Sequence, residues 1–197
     1  MTKNILIVGV GGQGIILASE VLAKVAMRAG YDVKQSEVHG MAQRGGSVSS
    51  HVRFGKQVFS PTIPMGEADV LLSFELLESL RWLHYLMPGA ATVVNAQQID
   101  PMTVASGKAE YPKNVRETVM SRGLRPFFID GRAIAESAGH IKAVNVALLG
   151  VLSTLLEFDR SLWEEAIRNR VPAKSLDINF RAFEMGRAAG FENHQPS

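Results

Sequence analysis

The stretch ILIVGVGGQG at residues 5–14 decides the fold. Its first four residues are apolar and mostly β-branched, which is typical of a strand buried on both faces. Gly9, Gly11 and Gly14 follow, and from Ile15 onward apolar residues recur with helical spacing. A glycine-rich turn between a buried strand and a helix exposes backbone N–H groups at the positive end of the helix dipole. The stretch therefore predicts a strand, an anion-binding turn and a helix.

Strand-like and helix-like segments alternate along the chain that follows. A second strand at 31–36 completes a β-loop-α-β unit, and the later patterns predict strands at 47–54, 69–74, 91–94 and 126–129 with helices at 76–86 and 115–121. The stretch 96–112 has no clear pattern. Alternation of this kind predicts an α/β fold, here a Rossmann-like three-layer α/β/α domain with a mostly parallel sheet.

The last third of the chain is predicted to be helical. The nearly continuous apolar run at 143–156 indicates a buried helix. Ser161 and Glu164 have the spacing of a capping box for a helix that runs to about Arg170. Ser175 can cap a final helix that ends at Gly190. We expect one domain over residues 1–191 and a polar tail over 192–197.

Composition limits the function classes. The 197 residues are 46% hydrophobic and 20% charged, as in ordinary globular domains. A net charge of +2, without basic runs interleaved with aromatic residues, argues against nucleic-acid binding. The absence of cysteine excludes disulfides and cysteine-ligated iron–sulfur clusters from this chain. The longest apolar stretch is shorter than the roughly 20 residues of a membrane span. With no secretory signal at the amino terminus, we expect a cytoplasmic protein without a membrane segment.

The glycine turn is the first candidate site. A dinucleotide-binding turn also requires an acidic residue at the end of the second strand, where it binds the ribose hydroxyls. Glu37 lies slightly too late for that role. We therefore expect an anion or phosphate at this turn rather than NAD or FAD, with a purely structural tight turn as the alternative.

The polar segment HGMAQRGG at 39–46 is the second candidate site. Arg44 offers a fork of donors suited to phosphate or carboxylate, and Gly45 with Gly46 can form a backbone nest. Because the segment follows the second strand, it is expected beside the glycine turn at the carboxyl ends of the strands. The alternatives are an interface loop, in which Arg44 pairs with a partner's carboxylate, and a structured surface loop without a binding role. His39 can bind a ligand through a hydrogen bond or be structural.

A third candidate lies in KAVNVALLG at 142–150, where Asn145 falls in the first turn of an apolar helix. A buried amide must find hydrogen-bond partners, and a neighbouring loop is favoured over a ligand as that partner. We find no metal-ligand spacing and no nucleophile–base arrangement, so no catalytic residue is predicted.

These motifs, taken in order, resemble the gamma-type subunit of 2-oxoacid:ferredoxin oxidoreductases and, within that family, the small (beta) subunit of the indolepyruvate enzymes. The resemblance rests on GVGGQG at 9–14, SEVHGMAQRGGSV at 36–48, EADVLL at 67–72 and KAVNVALLG at 142–150. It covers nearly the whole chain. Such enzymes oxidatively decarboxylate a 2-oxoacid, transfer the acyl group to coenzyme A and pass electrons to ferredoxin.

The resemblance implies a division of labour between subunits. The large subunit carries thiamine diphosphate and the iron–sulfur clusters. This chain is expected to complete the assembly and the coenzyme A side of the active region, and to be inactive alone. The family's binding loops match Gly9, Gly11, Gly12, Gln13 and Gly14, and then His39, Gln43, Arg44, Gly45 and Gly46. Whether they contact coenzyme A or the large subunit stays open, as does a homodimer of the isolated chain. A stand-alone Rossmann-type nucleotide-binding oxidoreductase and a non-catalytic regulatory domain are the alternatives.

Overall fold

A computed structural model describes residues 2–39 and 46–194, apart from the side chains of His39 and His194. A six-stranded sheet in the order β2-β3-β1-β4-β5-β6 forms its centre. The strands are β1 (Lys3–Val10), β2 (Asp32–His39), β3 (Ser47–Gly55), β4 (Ala68–Ser73), β5 (Leu86–Asn95) and β6 (Arg125–Ile129). The helices are α1 (Ile15–Arg28), α2 (Leu76–Arg81), α3 (Met102–Ala105), α4 (Val115–Met120), α5 (Gly131–Ala138), α6 (Val144–Ser153), α7 (Arg160–Arg168) and α8 (Leu176–His194).

The sheet is mostly parallel, as predicted. Strands β1, β4, β5 and β6 pair in parallel, whereas β3 runs antiparallel to both of its neighbours, β1 and β2. Strand β3 therefore lies between β2 and β1 in the sheet. The two strands of the predicted β-loop-α-β unit are consecutive in the sequence but are not neighbours in the sheet. Because β2 and β1 point the same way, the end of β2 still lies at the edge where the parallel strands end.

Both faces of the sheet are covered by apolar layers. Ile5 and Ile7 pack in the larger core with α1, α6, α7 and Phe183 of α8. The intervening Leu6 and Val8 point the other way, into a smaller core with the segment after α2. This alternation along one strand explains why β1 is a continuous apolar run. The predicted three-layer α/β/α fold is confirmed. None of the described helices is long and apolar enough to cross a lipid bilayer.

The boundary between α2 and β5 differs from the prediction. The helix ends at Arg81, and β5 already begins at Leu86, so Pro88 and Gly89 lie inside the strand. The pairing with β4 shifts its register between Ala68 and Val70. This bulge tolerates a proline without an N–H donor and a glycine at φ 75°. Residues that usually separate two elements here bend one strand.

Two predicted caps are wrong. Helix α7 begins at Arg160, which places Ser161 inside the first turn, and the N-cap residue Asp159 makes no side-chain capping bond. The hydroxyl of Ser175 donates to the carbonyl of Pro172 instead of capping α8. Both serines lie in turns that begin before the predicted helix starts.

Helix α8 also continues past its predicted end. It passes through Gly190 to His194, so Glu192 and Asn193 of the predicted polar tail are helical. A Cβ at position 190 would lie 2.7 Å from Oγ1 of Thr154 in the turn after α6. The glycine therefore serves close packing rather than chain termination.

His51 is a buried structural histidine in β3. Its Nδ1 accepts a hydrogen bond from the N–H of Ile63 at 3.2 Å, and its ring contacts Trp82 and Tyr85 edge-on. Burial, followed by the nearby Arg53 charge, lowers the pKa of His51 below its ordinary value of 6.5. The folded state therefore favours the neutral imidazole.

This shift predicts a pH dependence of stability. As pH falls through 6.5, the unfolded chain takes up a proton that the folded ring still rejects, so the free energy of unfolding decreases. His51→Gln keeps an acceptor for Ile63 but cannot titrate. We expect urea denaturation to show a smaller loss of stability between pH 7 and pH 5 in this variant than in the unaltered chain. Equal losses in the two proteins would contradict the assignment.

Candidate functional site

The glycine turn joins β1 to α1 with two residues in the left-handed region. Gly14 is the N-cap of α1 at φ 87°, and Gly12 lies at φ 99°. A Cβ at Gly9 would lie 2.8 Å from both Gln13 and Phe74, whereas one at Gly12 would meet nothing within 4 Å. Gly9 is therefore required for packing, while the open space beside Gly12 lets a ligand approach the backbone.

Gln13 fastens the turn to the neighbouring strand ends. Its Oε1 accepts from the N–H of Val10 at 2.7 Å, and its Nε2 donates to the carbonyl of Phe74 at 2.9 Å and to Oε1 of Gln97 at 3.2 Å. Both ends of the amide are thus used within the protein. Gln13, predicted as a binding residue, holds the turn against the ends of β4 and β5.

The second predicted segment meets the glycine turn at one described point. The N–H of Gly11 donates to the carbonyl of Gly46 at 3.0 Å, directly before β3. His39 ends β2 at the same edge of the sheet. Gly40 to Gly45, and with them the predicted residues Gln43, Arg44 and Gly45, lie outside the described residues. Their roles and that of the His39 side chain stay predictions.

A cavity of about 550 Å³ opens beside the turn, at the carboxyl ends of the parallel strands. We call it the glycine-edge pocket; the glycines and polar side chains that line it are Gly12, Gln13, Gly14, Gln97, Arg132, Lys142 and Asn145. Arg132 is the second residue of α5, and Lys142 lies in the short 3-10 turn before α6. The pocket therefore combines backbone from the first 14 residues with side chains from the last third of the chain.

A buried asparagine places Arg132 at this edge. The side chain of Asn95, at the end of β5, donates to the carbonyl of Phe74 at 3.0 Å and accepts from the N–H of Gly131 at 3.0 Å. It thereby ties the ends of β4 and β5 to the start of α5. A Cβ at Gly131 would lie 2.9 Å from Oδ1 of Asn95, so this approach requires glycine.

The pocket carries positive charge. Arg132 and Lys142 are both exposed, and no Asp or Glu contributes to the described lining. A hydrogen bond to Glu136, one turn along α5, raises the pKa of Arg132. Lys142 forms no ion pair within residues 2–39 and 46–194, which leaves its ammonium group available to a ligand. Two cations beside the exposed backbone of Gly12 form an environment suited to phosphate.

Asn145 differs from its prediction. The side chain is 9% exposed, and its Oδ1 accepts from the N–H of Val146 at 2.9 Å. Its amide nitrogen packs against Gly14, where a Cβ would lie 2.5 Å away, but in the described part of the chain it makes no hydrogen bond to the glycine turn. The predicted bond to a neighbouring loop is not formed with any loop that the structure describes, and the amide nitrogen lies at the pocket wall.

The contact between Gly14 and Asn145 yields a stability prediction. Gly14→Ala adds a Cβ that clashes with Asn145 in a backbone conformation that costs an L-residue about 1–2 kcal/mol. Gly12→Ala, at a similar φ but in open space, carries the backbone cost alone. We expect a larger decrease in the denaturation midpoint for Gly14→Ala, part of which Asn145→Ala restores. Equal midpoints for the two glycine variants would show that the close approach is unimportant.

The chemistry of the pocket suits ligand binding rather than catalysis. Its described lining contains amides, two cations and backbone, without a nucleophile paired to a base. Within the described ranges no three His, Asp or Glu side chains converge as metal ligands would. The sequence indicated the glycine turn and placed Lys142 and Asn145 in a candidate motif, but it assigned no role to Lys142 and missed Gln97 and Arg132 as site residues. Only the packing of α5 and α6 against the sheet brings them to the turn.

Known proteins share both the sequence pattern and the fold. The pattern that defines the pyruvate ferredoxin/flavodoxin oxidoreductase family matches residues 4–189. The chain belongs to this family. The resemblance noted from the motifs is thereby confirmed, and the oxidoreductase family members similar to this chain do not support a stand-alone Rossmann-type enzyme.

Two relatives in the family illustrate the similarity. The indolepyruvate oxidoreductase subunit IorB of Thermococcus kodakarensis is 45% identical over 196 residues, covering 96% of each chain. The subunit of the same name from Archaeoglobus fulgidus is 42% identical over 190 residues, covering 94% of each chain. These alignments run almost from end to end.

Solved structures of other family members have the same fold. The gamma subunit of a keto/oxoacid ferredoxin oxidoreductase from Geobacter sulfurreducens is 23% identical with a TM-score of 0.73, covering 96% of this chain and 99% of that one. The 2-oxoglutarate:ferredoxin oxidoreductase from Magnetococcus marinus, solved with 2-oxoglutarate, coenzyme A and succinyl-CoA bound, is 21% identical with a TM-score of 0.75. This chain corresponds to 31% of that longer chain, with 97% of its own residues covered.

Proposed function

We propose that this chain is the small subunit of an indolepyruvate (aryl 2-oxoacid):ferredoxin oxidoreductase and that its glycine-edge pocket holds the phosphate end of coenzyme A. The observation that carries the second part is the pairing of Lys142 and Arg132 with the open backbone at Gly12, in a pocket whose described lining has no carboxylate. The end-to-end similarity to indolepyruvate oxidoreductase subunits supports the first part.

The chemistry of the pocket favours one end of coenzyme A over the other. Coenzyme A has a pyrophosphate and a 3′-phosphate at its nucleotide end and a thiol at its pantetheine end. Lys142 and Arg132 complement phosphate charge, and the amide of Asn145 adds a neutral donor. The described lining has no group that activates a thiol. The thiol end is therefore expected to leave the pocket toward the large subunit.

The residues of this chain bind and orient; the chemical steps belong to the partner. Thiamine diphosphate and the iron–sulfur clusters, both held by the large subunit, would supply the decarboxylation and the electron transfer to ferredoxin. The chain contains no cysteine and so no cysteine ligand for a cluster. Among the second-loop residues, Arg44 remains the candidate for a further phosphate contact on the strength of its guanidinium. The proposed compartment is the cytoplasm.

Co-expression with a large subunit tests the assignment. We expect an affinity-purified complex to oxidise an aryl pyruvate in a coenzyme A-dependent reaction and the isolated chain to have no activity. In the complex, dephospho-coenzyme A should have a higher KM than coenzyme A, because it lacks the 3′-phosphate. The assignment is wrong if no complex forms and the isolated chain is instead stabilised by NAD, NADP or FAD in a thermal melt. Equal KM values for coenzyme A and dephospho-coenzyme A would show that the enzyme does not bind the 3′-phosphate.

A further inference from the structure

A buried carboxylate on α2 contacts the residue that follows the second predicted loop. Glu78 is 2% exposed, and its Oε2 accepts a hydrogen bond from the hydroxyl of Ser47 at 2.5 Å. The same oxygen lies 3.3 Å from the donor Nε1 of Trp82, and Oε1 is 2.5 Å from a guanidinium nitrogen of Arg81. The carboxylate therefore has three donors from two different elements.

The helix that carries Glu78 is itself fixed at the same edge of the sheet. Glu75 caps α2 by accepting from the N–H of Glu78 at 2.9 Å, and its other oxygen accepts from the hydroxyl of Tyr111 at 2.5 Å and the N–H of Ile99 at 3.1 Å. Burial, and then the hydrogen bond to Glu75, raise the pKa of Tyr111, which keeps its hydroxyl a donor. Glu78 therefore projects from a helix whose position is fixed by the hydrogen bonds of Glu75.

Gly46 and Ser47 are consecutive residues, and each forms a hydrogen bond with a different part of the protein. The carbonyl of Gly46 accepts from Gly11 in the glycine turn, and the next side chain, Ser47, donates to Glu78. A carboxylate is costly to bury unless its oxygens are bonded. An apolar side chain would fill this place on α2 more cheaply, but it could not hold the hydroxyl of Ser47. The charge is therefore better explained by its contacts than by packing.

We propose that Glu78 is a positioning residue for the ligand site: through Ser47 it fixes Gly46 against Gly11 and so holds the glycine turn in one arrangement. The proposal rests on the proposed function only in naming coenzyme A as the ligand. Glu78 does not line the described pocket and is expected to act on binding without touching the ligand.

The test uses the assembled enzyme and separates coenzyme A binding from turnover. Ser47→Ala and Glu78→Gln should each raise the KM for coenzyme A roughly 3- to 10-fold, with kcat changed less than about twofold. This is less than the full effect of a hydrogen bond to a charged group, because the contact acts on the ligand only indirectly. Ser47→Thr keeps the hydroxyl, and its KM for coenzyme A should equal that of the unaltered enzyme. The double variant should be no worse than the worse single variant, because both changes weaken the same contact.

A surface serine supplies the matched control. Ser121→Ala, which removes an exposed hydroxyl after α4, should leave KM unchanged. If Ser47→Ala and Glu78→Gln lower the melting temperature of the complex but leave KM unchanged, the contact is only structural and the positioning role is overturned. The proposed function fails separately, if substitution of Lys142 in the pocket also leaves KM unchanged.

Discussion

Gly186→Ala is expected to cause the largest loss of stability of any single alanine substitution considered for this chain. A Cβ at position 186 of α8 would overlap the carbonyl of Ala147 in α6, and one at Gly150 of α6 would overlap the carbonyl of Phe183 in α8. The obstacle is backbone in both directions, so no side-chain rotation relieves it. Alanine favours an isolated helix over glycine by about 1 kcal/mol, which makes a loss of stability here diagnostic of the close approach.

The size of this effect follows from how firmly the two helices are held. Phe183 and Trp163 are fully buried, and α6 is apolar on nearly every side, so neither helix can move outward without opening the larger core. We expect Gly186→Ala to cost at least about 3 kcal/mol, the upper end for an overpacked site. Denaturation midpoints and the soluble yield of the chain measure it.

Gly190→Ala is the matched control on the same helix. There the added Cβ meets the side chain of Thr154, which can rotate, and we expect a loss below about 1.5 kcal/mol. A Gly186→Ala protein that melts at or above the temperature of the unaltered chain would show that α6 and α8 do not need this contact.

Charge reversal in the glycine-edge pocket is expected to have the largest effect on ligand binding. Lys142→Glu should raise the KM for coenzyme A in the assembled enzyme by about 30- to 100-fold, because it removes one charge-assisted hydrogen bond and adds repulsion. Arg132→Glu should act in the same direction but less strongly, since Arg132 already shares its charge with Glu136 at 2.8 Å.

Lys24→Glu makes the same change in net charge at an exposed position on α1 away from the pocket lining. If it raises the KM as much as Lys142→Glu does, the effect is a general one of charge and not of the pocket. With dephospho-coenzyme A as the substrate, Lys142→Glu should lose part of its effect if the lysine binds the 3′-phosphate. An unchanged ratio would assign the lysine to the pyrophosphate.

Local sequence patterns were sufficient to predict the elements whose structure depends on residues close together in the chain. The apolar run at 5–8 predicted a strand buried on both faces, and the glycines after it predicted the turn, because both depend on residues within one element. Helix α1 followed from the spacing of the apolar residues after Ile15. The helix that was predicted to extend to Leu86 shows the limit of such signals, since Pro88 and Gly89 form a bulge whose partner strand, β4, is more than ten residues earlier.

By itself, the sequence determined the glycine turn, the α/β class, the family and the absence of cysteine ligands. Only the tertiary structure decided that β3 lies between β1 and β2, that Gln13 is committed to the strand ends, and that Lys142 and Arg132 face the turn. The physical reason is that parallel pairing brings the carboxyl ends of distant strands to one edge. The glycine turn and the two cations that meet there come from segments more than 100 residues apart. No local sequence pattern therefore predicts that they meet.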